Sequence, residues 1–159
     1  AAFEADLPTA LRKVYFAASG DAPSDLWFTD QPDGAALLDF LDDPDPAPAW
    51  MQPERFAPVL EANAGRSTHG WFKRYRAQHL DGADLEAIGE PVIAHPACFV
   101  GGANDIVRKF VDGVDLFAGA GAALGDNRGV TIIKNAGHWV HQEQPVATNE
   151  ALESFVAGL

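Results

Sequence analysis

Two side chains able to exchange protons occupy equivalent places in this chain. Asp105 closes the stretch Gly101-Gly102-Ala103-Asn104-Asp105, and His138 lies in Asn135-Ala136-Gly137-His138-Trp139. Each follows a short apolar run, Ala97 to Val100 before the first and Val130-Thr131-Ile132-Ile133 before the second. Short, β-branched runs of this kind read as buried strands. In open α/β sheets, functional groups gather just past the carboxyl ends of strands, and adjacent parallel strands would bring two such loops together. A carboxylate in that place can accept the Nδ1 proton of an imidazole. That contact fixes the tautomer and stabilises the imidazolium formed when Nε2 takes a proton. Taken alone, Asp105 reads equally as a turn or helix-cap residue and His138 as a loop histidine. Their joint placement, each at the end of its own strand, favours acid–base chemistry.

The elements that must hold these residues follow from periodicity and punctuation. Phe3, Leu7, Leu11, Val14 and Ala18 recur at helical spacing, which predicts an amphipathic helix over residues 3–18 with Gly20 as its stop. A loop rich in Asp and Pro follows, interrupted by one or two helical turns at Ala35 to Leu41. Asp42 to Pro48 holds three prolines and cannot be regular, since proline lacks a donor and restricts its predecessor. A further helix opens at Pro53 and stops at Gly65, with Pro58 expected to kink it or delay its start. A short helical segment is expected over 71–80, a longer one with glycine interruptions over 106–124, and a last helix from Pro145 with Val146, Leu152, Phe155 and Val156 on one face. Strand, helix, strand and helix alternate in the second half, which predicts two parallel strands at the edge of an α/β sheet. Two parallel strands cannot bury both faces alone, so more sheet is expected from outside this sequence.

Composition narrows the function classes. The formal net charge of −12 repels phosphate backbones and anionic lipid, which excludes nucleic-acid and membrane-surface binding as the natural reading. No run is long and apolar enough to span a bilayer, and no signal-like segment follows the first residues. A cytoplasmic location is therefore expected. Cys98 is the single cysteine, so an internal disulfide is impossible; its apolar surroundings suggest a small core residue. His138, His141 and Glu143 lack the spacing of a metal site, and His69, His79 and His95 are isolated surface or loop residues. No cofactor is expected.

The segment from Asn135 through Trp139 to Val140-His141-Gln142-Glu143-Gln144-Pro145 resembles the catalytic-histidine segment of α/β-hydrolase epoxide hydrolases, where the histidine is followed by Trp, a polar pair and Glu-x-Pro. Gly101 to Asp105 is similar to that family's acid loop. Residues 3–20 resemble a cap helix, and Gly65 to Arg76 resembles the cap stretch ending in Trp-Tyr-Arg, with Arg74 in place of the usual Trp. The resemblance implies Asp105 as the triad acid, His138 as the base that activates water, and Tyr75 as the phenol that donates to the epoxide oxygen. Trp71 and Trp139 are then candidate walls of the substrate pocket, with simple packing an equal reading of either. Tyr15, mid-helix, suits a structural position rather than the family's second proton donor.

The implied fold is the carboxy-terminal portion of an α/β-hydrolase, a parallel sheet with flanking helices, preceded by a helical cap. Residues 1–88 would form the cap segment and 89–159 the last part of the core. The implied activity is conversion of a small epoxide to a vicinal diol through a covalent ester. No Gly-x-Asp-x-Gly or Gly-x-Ser-x-Gly elbow occurs in the sequence. The nucleophilic Asp is therefore expected from the amino-terminal half of the same enzyme, and the isolated chain is expected to be inactive. A haloalkane or fluoroacetate dehalogenase sharing the acid and base is one alternative. A non-catalytic α/β-hydrolase-like binding module is another.

Overall fold

The structure is a computed structural model that describes residues 2–23, 34–89 and 92–159. Much of the Asp- and Pro-rich stretch after Gly20, and Pro91 ahead of the first strand, lie outside the described residues.

The expected first helix is two helices, α1 (Ala2–Ala5) and α2 (Leu7–Ala17). The break falls at Asp6, which leaves helical geometry and whose carboxylate accepts the Thr9 amide at 3.2 Å. Pro8 has no amide to donate and sits in the first turn of α2, where none is needed. Helix α2 ends at Ala17, before Gly20, so the glycine is not its stop. Ala10, Leu11, Ala17 and Ala18 are buried, as are Leu41 and Met51 from the following segment. That segment contains the expected turn, a 3-10 helix over Leu37–Phe40, and then runs irregularly through Asp42 to Pro48. It is fastened to α2 by polar contacts. The Arg12 guanidinium donates twice to Asp43, at 2.8 and 2.7 Å, and Lys13 Nζ donates to the Leu38 carbonyl at 3.0 Å.

Helix α3 (Pro53–Asn63) opens at Pro53 as expected and continues through Pro58, so that proline does not delay its start. A 3-10 turn over Thr68–Phe72 leads into α4 (Lys73–Arg76). Glu4 anchors that turn by accepting from the Ser67 hydroxyl at 2.8 Å and the Thr68 amide at 2.7 Å. The helical segment expected over 71–80 extends further, into α5 (Gln78–Ile88). Its apolar residues Leu80, Leu85 and Ile88 are sparse and remain exposed, and Gly82 weakens the helical pattern.

The two expected strands form and pair in parallel: β1 (Ile93–Gly102) and β2 (Leu124–Ile133), with Val100 opposite Thr131 and Gly102 opposite Ile133. Both extend beyond their apolar runs. Pro96 is tolerated because the register shifts on either side of it. Cys98 is half-buried on β1, not a core residue. The helix expected over 106–124 does not form. Only a 3-10 turn over Ile106–Lys109 appears, followed by successive turns. Gly113 adopts φ 71°, and Arg108 folds the segment back by pairing with Asp115 while donating to the Ala103 carbonyl at 2.7 Å. After β2 come α6 (Val140–Glu143) and α7 (Pro145–Ala157). Of the residues expected on one face of α7, Val146, Leu152 and Val156 are exposed and Phe155 is half-buried. Thr148 is the buried residue of that helix, and its hydroxyl donates to the Val140 and Gln144 carbonyls.

Three glycines let the strand ends and the end of α2 meet. A Cβ on Gly102 would stand 2.2 Å from the Gly137 carbonyl oxygen, and one on Gly137 would stand 2.3 Å from the Gly20 nitrogen. Both obstacles are backbone and cannot rotate away. Gly137→Ala is expected to cost about 1–3 kcal/mol of stability through overpacking. Gly70→Ala, whose Cβ would enter open space, should change it by no more than about 0.5 kcal/mol. Denaturant unfolding of the two variants checks this difference.

Candidate active site

The loop after β1 and the loop after β2 are joined backbone to backbone. The Ala103 amide donates to the Ile133 carbonyl and the Asn104 amide to the Ala136 carbonyl, each at 2.8 Å. The next residue in the first loop is Asp105, which is buried. Its Oδ1 accepts the Val107 amide at 2.9 Å and thereby caps the 3-10 turn that follows. The same carboxylate faces the His138 ring, with Nδ1 3.2 Å from Oδ2 and 3.3 Å from Oδ1. Asp105 is thus both a cap and a histidine partner, so the two readings of it do not compete. The amide bond orients the carboxylate before the imidazole reaches it.

The second loop turns sharply. Asn135 adopts φ 56°, a left-handed conformation that asparagine accommodates better than most residues. The His138 amide donates to the Ala18 carbonyl at 2.9 Å, tying this loop to the end of α2. The His138 side chain is 43% exposed, and among the described residues its Nε2 has no hydrogen-bond partner. With Nδ1 turned to a carboxylate and Nε2 open, the ring is arranged to take a proton on the exposed side. The hydrogen bond to Asp105 raises the His138 pKa above the ordinary 6.5, more than partial burial lowers it; the charges of Asp105 and then Glu143 act in the same direction.

Trp139 follows His138 and is fixed by two contacts. Its ring stacks on Tyr15 at a centroid distance of 4.2 Å, and its Nε1 donates to the Tyr15 carbonyl at 2.8 Å. Tyr15 also meets Phe56 edge-on at 5.1 Å, so it packs α2 against both α3 and the histidine loop. Tyr75 and Trp71 stand elsewhere. Tyr75 lies on α4 and is 74% exposed, and Trp71 lies in the preceding 3-10 turn. No hydrogen bond or ring contact among the described residues joins either one to Asp105 or His138. The structure therefore brings together Asp105, His138 and Trp139, and among the described residues Tyr75 and Trp71 make no hydrogen bond or ring contact with that pair of acid and base.

One residue of the site carried a different reading in the sequence. Glu143, considered there with a metal site, is buried and accepts three backbone amides around His138. Its place five residues beyond the histidine, on the turn before a helix-opening proline, was the available signal. Among the described residues no group of three or more His, Cys, Asp or Glu is placed to hold a metal ion, and no helix is long and apolar enough to cross a membrane.

Parallel strands flanked by helices, with an acid and a histidine on the loops at their carboxyl ends, fit the last part of an α/β-hydrolase fold. Solved structures agree. The chain matches epoxide hydrolase A from Mycobacterium thermoresistibile with a TM-score of 0.82 and 27% identity, over 99% of this chain and 48% of that one. It matches an epoxide hydrolase from an endophytic Streptomyces with a TM-score of 0.82 and 28% identity, over 99% and 47% of the two chains. In sequence it is 32% identical to epoxide hydrolase B of Mycobacterium tuberculosis over 129 residues, which is 80% of this chain and 35% of that relative. The chain is a homologue of the epoxide hydrolases. It spans less than half the length of these relatives. No family model matches it.

The raised pKa of His138 has a signed consequence. The pair's contribution to stability is complete below the unfolded histidine value and is lost as pH rises through the higher folded one. Asp105→Asn should lower the His138 midpoint, since both the hydrogen bond and the charge that raise it weaken. Titration of the ring by NMR checks this. An unchanged midpoint would show that Asp105 does not govern the ring.

Proposed function

We propose that this chain supplies the acid and the base of an epoxide hydrolase that works through a covalent ester. The observation that carries the proposal is the Asp105–His138 pair, with Nδ1 on the carboxylate and Nε2 open, in a homologue of epoxide hydrolases. The nucleophile is a carboxylate from the amino-terminal half of the same enzyme, which also continues the sheet beside β1 and β2. Residues 1–88 serve as the cap segment and 89–159 as the end of the catalytic core. The enzyme works in the cytoplasm on a small epoxide and needs no cofactor.

In the first step the carboxylate attacks an epoxide carbon, the carbon–oxygen bond breaks, and the developing alkoxide is protonated by a phenol. Tyr75 takes that role on the strength of the cap motif around it. A phenolic O–H aimed at the developing alkoxide stabilises the charge that forms there. In the second step His138 Nε2 takes a proton from water, the hydroxide attacks the ester carbonyl, the diol leaves as the carboxylate is restored, and the imidazolium proton returns through solvent to the phenolate. Asp105 holds the resulting imidazolium. This completes a triad of nucleophile, base and acid. Trp139, immobilised against Tyr15, forms one wall of the substrate pocket beside the base, and Trp71 forms another on the cap side.

The full enzyme should convert an aryl epoxide to its diol without releasing halide from haloalkanes. His138→Ala should lower kcat by about 10²–10⁴-fold, the usual worth of a positioned general base. Tyr75→Phe should lower it by about 10²-fold, as removal of one donor to a developing oxyanion does. Product analysis by chromatography checks all three. Halide release without diol formation would instead identify a dehalogenase, and equal behaviour of wild type and His138→Ala would exclude a catalytic role for the histidine.

A further inference from the structure

Glu143 is buried on α6, and among the described residues no cation pairs with it. A carboxylate in that position is costly unless hydrogen bonds replace its water. Here they do. Oε2 accepts the Gly20 amide and the Gly137 amide, each at 2.8 Å, and Oε1 accepts the Trp139 amide at 3.0 Å. Gly137 and Trp139 are the chain neighbours of His138 on either side. The His138 amide itself is held by the Ala18 carbonyl, two residues before Gly20. Every backbone donor from 137 to 139 is therefore committed, three of the contacts in this knot running through one side chain.

We propose that Glu143 is a positioning residue for His138: its carboxylate clamps the backbone on both sides of the ring and so keeps Nδ1 on Asp105 while Nε2 faces outward. This role rests on His138 acting as the base. The acceptor count explains why a carboxylate is required. Three N–H donors converge on two oxygens, and charge-assisted bonds of this kind are the stronger ones. Glutamine of the same size keeps one oxygen and turns an NH₂ group toward donors, leaving at least one buried amide unmatched. Aspartate keeps the charge but withdraws it by one methylene. The backbone lies close on this side of the carboxylate: a Cβ on Gly20 would stand 3.1 Å from Glu143 Oε2 and 2.9 Å from the Gly137 nitrogen.

A positioning role predicts a defect confined to the step that uses the histidine. In the full enzyme, single-turnover kinetics separate formation of the covalent ester from its hydrolysis. Glu143→Gln should slow ester hydrolysis by about 10²-fold, the scale of loss from a misplacement near 1 Å, while leaving ester formation within about threefold. Glu143→Asp should show a smaller defect in the same step, which keeps the test alive if the glutamine variant does not fold. Equal slowing of both steps, or no slowing of hydrolysis in either folded variant, would overturn the proposal. A second readout does not depend on epoxide chemistry. In the ring ¹⁵N spectrum of His138, wild type should show the proton on Nδ1, and Glu143→Gln should show a mixture of tautomers. Identical ring spectra would overturn the positioning role even if the enzyme hydrolyses epoxides. A wild type without epoxide turnover would remove the functional proposal and leave the clamp to be judged on the ring spectra.

Discussion

The parallel pairing of β1 with β2 forces two loops to leave the sheet at the same edge, and the hydrogen bonds of Ala103 and Asn104 to the second loop close the gap between them. Everything at the site depends on that backbone approach. Gly102 and Gly137 permit it, because a single carbon on either would collide with main chain. Asp105 and His138 then meet without any long side chain having to search for its partner. Little rotamer freedom is lost when the pair forms, and the geometry is held mainly by backbone.

A second constraint comes from outside the strands. The end of α2 reaches the histidine loop through the Ala18 carbonyl and the Gly20 amide, and Tyr15 on the same helix stacks on Trp139. The same helix contributes Ala10 and Leu11 to the buried residues of the first half of the chain, as the following segment contributes Leu41 and Met51. The histidine is thus secured by one loop from the sheet and one helix from the amino-terminal half of this chain. Apolar residues on β1, β2 and α7, among them Ile93, Val130 and Val146, remain exposed in this chain.

The site was more legible in the sequence than the elements around it. Val130 to Ile133 and Ala97 to Val100 marked the strands through their branched and apolar side chains, and the residues just past them marked the loops. The hydrophilic first half of β2, from Leu124 to Gly129, carries no such signal, because its strand character comes from pairing with β1. The expected helix over 106–124 failed for a related reason. Its apolar residues fit a helical period, but Gly113 and the pairing of Arg108 with Asp115 favour a compact series of turns. Helix α7 kept its predicted start, and the residues of its predicted face are mostly exposed, since periodicity shows that a face exists without showing what covers it. The break at Asp6 was written in the sequence, as an N-cap residue two positions before a proline. Glu143 was marked only by its place between the histidine and Pro145, because a carboxylate that binds only backbone leaves no partner residue type to look for.

In the proposed mechanism a nucleophile elsewhere in the enzyme opens the epoxide and a base in this chain hydrolyses the ester, so removing the base should stop the cycle halfway. Intact-mass spectrometry of the full His138→Ala enzyme after exposure to an aryl epoxide tests this division directly. A covalent adduct of one epoxide per active site should accumulate and persist in the variant, whereas wild type should show it only transiently. Continued diol formation by His138→Ala at the wild-type rate, with no adduct, would contradict it.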